Sequence, residues 1–273
     1  MSENKKQQKF GLIVVGDEIL SGRRQDKHFP KIVEMMGIRG LQLSWVEIHG
    51  DDRQQLTDAL KRSFASDDIV ICCGGIGATP DDHTRQCAAA ALQVPLALHP
   101  QAKALIQQRI VEMAEGDPAK ADLTSPENLH RLKMGEFPEG AEIIPNAYNR
   151  IPGFSIRGNQ GSMVHFVPGF PVMAGPMMAW ALDTHHSPLF HAVPHLEKAV
   201  IVYDGIESTL TPLMEKIEAE FDGVKVFSLP SVASEGRRRQ IELGVKGAPE
   251  AVGRAYLRML EGLDALRQEY EPQ

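Results

Sequence analysis

Apolar residues along this chain come in two rhythms. The short apolar run Phe10–Val15 ends at Gly16 and reads as a buried strand, and Leu41–Ile48 and Asp68–Cys73 give two more strands, each closing on Gly or Asp. Between them, residues 26–37 and 52–65 carry apolar side chains at helical spacing. Strand alternating with helix predicts an α/β fold, a mainly parallel sheet with helices on both faces. Ligands of such sheets bind beyond the carboxyl ends of the strands. Two more helices are predicted over 81–92 and 99–115, then an irregular Gly-, Pro- and Asn-rich stretch with short strands over 116–162. A strand at Met163–Val167 stops at Pro168-Gly169, and a helix over 171–182 follows. The polar segment DTHHSPLFHAVPH then suits a linker.

The pattern changes after it. Strand (Ala199–Tyr203), helix (207–221), strand (Val224–Leu229), strand (Gln240–Val245) and helix (249–266) make a βαββα order, a small α+β module. The expected division is a domain over 1–182, a linker over 183–198 and a small domain over 199–273. The module's helices are expected to support contacts in a homo-oligomer.

Composition narrows the classes. Hydrophobic content of 42% with 24% charged residues is that of a globular protein. A formal charge of −7 argues against general nucleic-acid or anionic-membrane binding. The βαββα order resembles a KH shape but brings no Gly-x-x-Gly loop, so RNA binding is set aside. No stretch of about 20 apolar residues could span a bilayer, and the polar N-terminus lacks a signal-peptide core, so a cytoplasmic protein is expected. Cys72, Cys73 and Cys87 have no zinc or disulfide spacing and read as reduced, packed thiols. His185, His186, His191 and His195 are expected to be solvated linker residues, and Arg237-Arg238-Arg239 a turn between strands.

The chemistry concentrates in Cys73-Gly74-Gly75-Ile76-Gly77-Ala78-Thr79-Pro80-Asp81-Asp82-His83-Thr84, which follows a buried strand and opens a helix. Glycines let the backbone turn tightly and approach a ligand, and the amides beyond them, with the helix dipole, make an anion seat. The loop has no Gly-Lys-Ser/Thr ending, and Pro80 stands where a dinucleotide fingerprint needs glycine, so both familiar phosphate motifs fail. A plain helix start also fits: Thr79 as N-cap, Pro80 first, Asp82 third. The two roles are compatible. Acids also end three strands: Asp17 after Gly16, Asp51 after Gly50, and Asp82 in the glycine loop. On one sheet edge they would repel a phosphate unless a cation lay between, and Mg²⁺ takes carboxylates and phosphate oxygens together. Asp51 and Asp82 are the candidate metal ligands, and such a site suits attack at phosphorus. Taken singly, each acid is equally a helix cap.

The stretches Gly16-Asp17-Glu18-Ile19-Leu20-Ser21-Gly22 and Gly74–Arg85 resemble the N-terminal domain of competence/damage-inducible protein A. They are similar also to the molybdopterin-binding-like domain of FAD synthase, both of the MoaB/Mog superfamily. Pro145–Phe154 and Val167–Met173 agree with that family's Asn-containing and Pro-Gly loops, so the likeness covers about 10–182. The resemblance implies a three-layer MoaB/Mog-like domain holding molybdopterin or an adenine nucleotide at the strand ends. Its phosphate loop would be Gly74, Gly75 and Gly77, and its functional acids Asp51 and Asp82. Gly16, Ser21, Gly22, Thr79, Asn146, Pro168 and Gly169 complete the expected ligand site, with Asp17 a third catalytic candidate. Two places depart from the family: Asp26-Lys27-His28 replaces Asp-Thr-Asn, and Asn149-Arg150-Ile151 replaces Gly-Thr-Ala. The nicotinamide-mononucleotide deamidase domain of longer members is not expected in a chain ending at 273.

Three functions follow as expectations. The first is a binding protein for a phosphorylated small molecule, a pterin phosphate or adenine nucleotide held with Mg²⁺ or another divalent metal. The second is a metal-dependent pyrophosphatase acting on ADP-ribose or FAD, with Asp51 and Asp82 on the metal and Asp17 or a metal-bound water assisting attack. The third is a non-catalytic regulatory or scaffold protein.

Overall fold

The computed structural model describes residues 8–192, 196–231 and 238–273. His195 and Arg237 lie outside them. The chain divides into two compact units, Met1–Pro188 and Leu189–Gln273.

The first unit is built on a six-stranded sheet. Its strands are β1 (Phe10–Val15), β2 (Leu43–His49), β3 (Ile69–Cys73), β6 (Glu142–Ile144), β7 (Gly153–Arg157) and β8 (Met163–Val167), in the order β2-β1-β3-β8-β7-β6. The pairs β2–β1, β1–β3 and β3–β8 are parallel. β7 runs antiparallel to β8, and β6 antiparallel to β7. Every residue of β1, β3 and β8 is buried, as expected of inner strands covered on both faces. β2, at the edge, alternates instead. The helices are α1 (Asp17–Leu20), α2 (His28–Ile38), α3 (Arg53–Phe64), α4 (Thr84–Leu92), α5 (Pro100–Met113), α6 (Pro118–Ala121), α7 (Pro126–Leu132) and α8 (Pro171–His185). A two-stranded ribbon pairs β4 (Leu96–Leu98) with β5 (Glu136–Pro138). In the core, Phe137, Phe154 and Phe166 stack with centroids 4.7 and 4.3 Å apart.

Three expectations are corrected. The helix foreseen from residue 81 begins at Thr84. The stretch 116–162 holds the two short helices α6 and α7 among its strands, each capped by an acid or serine before a proline at its start: Asp117 accepts from Ala119 N–H and Ser125 from Asn128 N–H. The helix foreseen to stop at 182 continues to His185, with His186 N–H donating to the Leu182 carbonyl at 2.9 Å. No glycine or proline at 183–186 offered a stop.

The second unit has the predicted β9 (Leu196–Tyr203), α9 (Glu207–Glu220), β10 (Lys225–Ser231), β11 (Gln240–Gly247) and α10 (Pro249–Ala265). A last strand, β12 (Tyr270–Pro272), was not foreseen, and the sheet order is β10-β11-β9-β12. Both helices cover this sheet: Leu210 and Ile217 of α9 and Val252, Met259 and Leu263 of α10 share a core with Val200, Leu243 and Val245.

Candidate functional site

Four strands deliver their ends to one edge of the first sheet. At the β1 end, Gly16 N–H donates to the His49 carbonyl at 2.9 Å. One residue on, Asp17 and Asp51 clasp each other: Asp17 N–H donates to Asp51 Oδ2 at 3.0 Å, and Asp51 N–H to Asp17 Oδ1 at 3.2 Å. The clasp joins the β1 and β2 loops. Asp52 takes the plain role, capping α3 by accepting from Gln55 N–H. The Asp26 carboxylate likewise gathers the His28 and Phe29 N–H groups at the start of α2. The departure Asp26-Lys27-His28 is thus used locally, to start a helix.

The glycine loop has a definite polarity. Gly74 has φ +108°, and a Cβ there would collide with the Val15 carbonyl oxygen. Gly75 has φ +68° and leaves no room between its Cα and Thr84 Oγ1. Both positions require glycine. Thr84, buried at the first turn of α4, draws the loop down: its hydroxyl donates to the Gly74 carbonyl at 2.9 Å and its N–H to the Gly75 carbonyl at 2.9 Å. Arg85, only 3% exposed, donates to the Gly77 carbonyl at 2.6 Å and to the Lys133 carbonyl at 2.7 Å. In a trans peptide the N–H points opposite to the preceding C=O. With the carbonyls of Gly74, Gly75 and Gly77 turned onto protein donors, the N–H groups of Gly75, Ile76 and Ala78 turn the other way. Among the described residues none of these three N–H groups has a protein acceptor.

This bonding also explains the late start of α4. The expected N-cap role of Thr79 is replaced by a tight turn, in which the Asp82 carboxylate accepts from both Thr79 N–H and Thr79 Oγ1. Burial pushes the Arg85 guanidinium pKa down, while Asp82 and Glu136 act against that push.

These loops enclose a cavity of about 410 Å³. Of the residues expected from sequence, Gly16, Asp51, Gly74, Gly75, Gly77, Thr79, Asp82, Asn146, Pro168 and Gly169 line it. Asp17, Ser21 and Gly22 do not. Asp17 instead holds Asp51, while Ser21 and Gly22 lie exposed just after α1. Asn146 is on the wall, yet its side-chain nitrogen donates to Asn149 Oδ1 and the Ile151 carbonyl, and its Oδ1 accepts from Tyr148 N–H. It shapes the loop. Sequence reasoning missed Arg24, Met134, Phe170 and Met173, all on the wall. The basic pair Arg23-Arg24 after the first motif could have signalled the first of these, and the Val167–Met173 stretch contains Phe170 and Met173.

Electrostatically the wall is mixed. Burial, then the neighbouring Asp17, Asp81 and Glu18, hold the Asp51 carboxyl above its ordinary value, with the Asp17 N–H opposing them. Among the described residues no group of three or more His, Cys, Asp or Glu is placed to hold a metal ion. Asp51 and Asp82, the expected metal ligands, both line the cavity.

The expected linker histidines are corrected in part. His186 is buried, with Nε2 2.7 Å from Nε2 of buried His165, whose Nδ1 lies 2.7 Å from Ser155 Oγ. The extra turn of α8 carries His185 and His186 onto the sheet. Cys72, Cys73 and Cys87 are free and buried, and burial pushes all three thiols up.

Comparison with known proteins agrees with this architecture. No helix among the described residues is long and apolar enough to cross a membrane. A "CinA-like protein" of Anaeromyxobacter dehalogenans is 33% identical over 161 residues, which are 59% of this chain and 37% of that protein. The match thus spans little more than a third of that relative's length. "Protein Ta0487" of Thermoplasma acidophilum is 29% identical over 242 residues, 88% of each chain. A crystal structure described as the protein CinA with unknown function, also from Thermoplasma acidophilum, superposes with a TM-score of 0.54 at 25% identity. It covers 65% of this chain and 98% of its own. The model of one family, described as "Probable molybdopterin binding domain", matches residues 11–186, which hold all of the six-stranded sheet but Phe10 and every loop of the cavity. The chain therefore belongs to the family of the probable molybdopterin binding domain, and its first unit is similar to CinA-like proteins.

Proposed function

We propose that the first unit binds a phosphorylated small molecule, a pterin phosphate or adenine nucleotide, with its phosphate on the 75–78 backbone. The observation that carries this reading is the set of N–H groups at Gly75, Ile76 and Ala78, turned away from the protein donors that hold the intervening carbonyls. Preoriented peptide dipoles favour an anion without reorganisation. Arg24 on the wall adds a positive charge, and Arg85 places another against the back of the loop. On a protein of net charge −7 this local arrangement must do the attracting. A divalent metal arriving with the ligand's phosphates would offset the repulsion from Asp51 and Asp82. Calorimetric titration with molybdopterin, ATP, ADP-ribose and FAD, with and without Mg²⁺, tests the reading. Binding of at least one ligand, strengthened by the metal, is expected, and silence from all four counts against it.

A second reading is hydrolysis of a nucleotide pyrophosphate such as ADP-ribose or FAD. It is favoured by the raised Asp51 carboxyl on the same wall as the amides, since an acid near a phosphate can hold metal or accept a proton from water. Release of AMP on adding Mg²⁺, Mn²⁺ or Co²⁺ is its signature. Asp82→Asn should cut that release at least tenfold, and full activity in the variant rules out the assignment.

A further inference from the structure

The strand order ranks the cavity wall from end to end. The ends of β2 and β1 bring Asp51 and Gly16, the end of β3 brings the glycine loop, and β8 with the start of β7 brings Phe170 and Ile151-Pro152. Glu18 and Asp51 therefore stand on one side of the phosphate seat, Asp81 and Asp82 in the loop that forms it, and an apolar group on the other side. Met173 belongs to the apolar side: its sulfur lies 3.6 Å from Asn146 Nδ2, which also bonds the Ile151 carbonyl.

Phe170 is costly to the fold where it stands. It is 56% exposed, although a phenylalanine gains from burial. It holds the N-cap position of α8, a place that favours Ser, Thr, Asp or Asn, and it gives no side-chain cap bond. Among the described residues its ring stacks on no other ring and faces no cation. Its backbone, by contrast, is well fixed. The Phe170 carbonyl accepts from Met173 N–H and Ala174 N–H, both at 2.9 Å, and Pro171 behind it restricts its ψ. A ring with no stacking or cation partner among the described residues is thus carried on a fixed backbone at the cavity wall.

We propose that Phe170 is a stacking platform for the planar heteroaromatic ring of the ligand, and that it makes the site select ring-bearing phosphates over ring-free ones. This rests on the organic-phosphate reading above. The ring lies toward the β8–β7 end, on Phe170 with Met173 and Ile151 around it, and the phosphate lies on the β3 loop. Every such ring has a π-face, so the platform selects the class, a pterin or purine phosphate, and leaves its finer identity to polar groups.

The test is calorimetry on the full chain with Mg²⁺, using inorganic pyrophosphate, ADP and neopterin phosphate as probes. The parent should bind ADP or neopterin phosphate at least about tenfold more tightly than pyrophosphate, the range that base–aromatic stacking gives. Phe170→Ala should erase that margin and leave pyrophosphate affinity within about twofold, while Phe170→Tyr keeps it. The ring is exposed, so the variants should fold; unchanged circular dichroism confirms it. Equal weakening of all three probes in Phe170→Ala, or no change in any, overturns the platform. So does a parent that binds pyrophosphate as tightly as the ring-bearing probes, in which case the phosphate seat stands. A parent that binds none of the three takes down the seat and the platform together.

Discussion

Asp51 is a carboxylate held among others of its own sign, and that conflict has a measurable sign. Its folded-state pKa is raised by burial and by Asp17, Asp81 and Glu18. A carboxyl raised in the folded state binds its proton more tightly there than in the unfolded chain. It therefore costs stability once pH rises above its ordinary value and costs nothing well below it. Asp51→Asn, which can still accept from Asp17 N–H, should raise the melting temperature at pH 7 and lose that advantage near pH 3. A variant less stable at pH 7 would refute the account. Such a penalty at a strand end is expected where charge is kept for a ligand rather than for the fold. Gly74 gives the opposite kind of test. At φ +108°, with the Val15 carbonyl where a Cβ would go, the obstacle cannot yield, because it is backbone of β1. Gly74→Ala should cost roughly 2–4 kcal/mol in urea denaturation, combining strain and overpacking. A cost below about 1 kcal/mol would mean that the loop is free to shift.

Among the elements, α8 joins the site to a buried titratable cluster. Its first residues follow Phe170 on the cavity wall, and its last turn places His185 and His186 against His165 of β8. Phe10 of β1 packs edge-on against His186, and Trp180 edge-on against His185. Burial, followed by the neighbouring histidines and Arg157 of β7, holds the His165 imidazolium well below its ordinary pKa. Burial, His185 and Arg157 push His186 down to about 4. Glu142 of β6 favours charge on His185, but burial prevails. Histidines held neutral in the fold bind fewer protons than the unfolded chain between their two pKa values. Stability is therefore complete above pH 6.5 and drains as pH falls toward 4, on the order of 3 kcal/mol for His186. The urea midpoint should decline between pH 6.5 and 4.5, above the range where the lowered carboxyls of Asp26 and Glu47 are titrated. A flat midpoint across that interval contradicts the buried cluster.

For the whole molecule, each unit owns its core. Ile13, Leu60, Val70, Phe154 and Phe166 are buried together in the first unit, and Val200, Leu210, Leu243 and Met259 in the second. Residues 1–188 and 189–273 should therefore each fold when expressed alone, and the intact chain should melt in two steps that the fragments reproduce. Failure of the first fragment to fold would mean that its sheet depends on the second unit. Because every loop of the cavity lies within 1–188, that fragment should also keep the affinity of the full chain for its ligand.

Local signals alone were enough for the central strands. β1 and β3 are apolar runs, and β8 is one interrupted only by His165, each ended by Gly or Pro-Gly, so their burial and the sheet edge carrying Asp51 and the glycine loop were readable from order and spacing. The likeness of Gly16–Gly22 and Gly74–Arg85 to known relatives was equally a property of the sequence. Other features were settled by contacts between distant segments, which no local pattern encodes. Thr79-Pro80-Asp81-Asp82 reads as a helix start, yet Thr84 pulls the Gly74 and Gly75 carbonyls inward and α4 begins five residues later than Thr79. His186 looked solvated until an uncapped α8 carried it onto β8. Arg24, Met134 and Phe170 stand far apart along the chain, and only the crossover of β3 to β8 and the return of β7 bring them to one wall. Burial periodicity is written residue by residue, whereas a binding site is a meeting of loops whose partners the folded sheet selects.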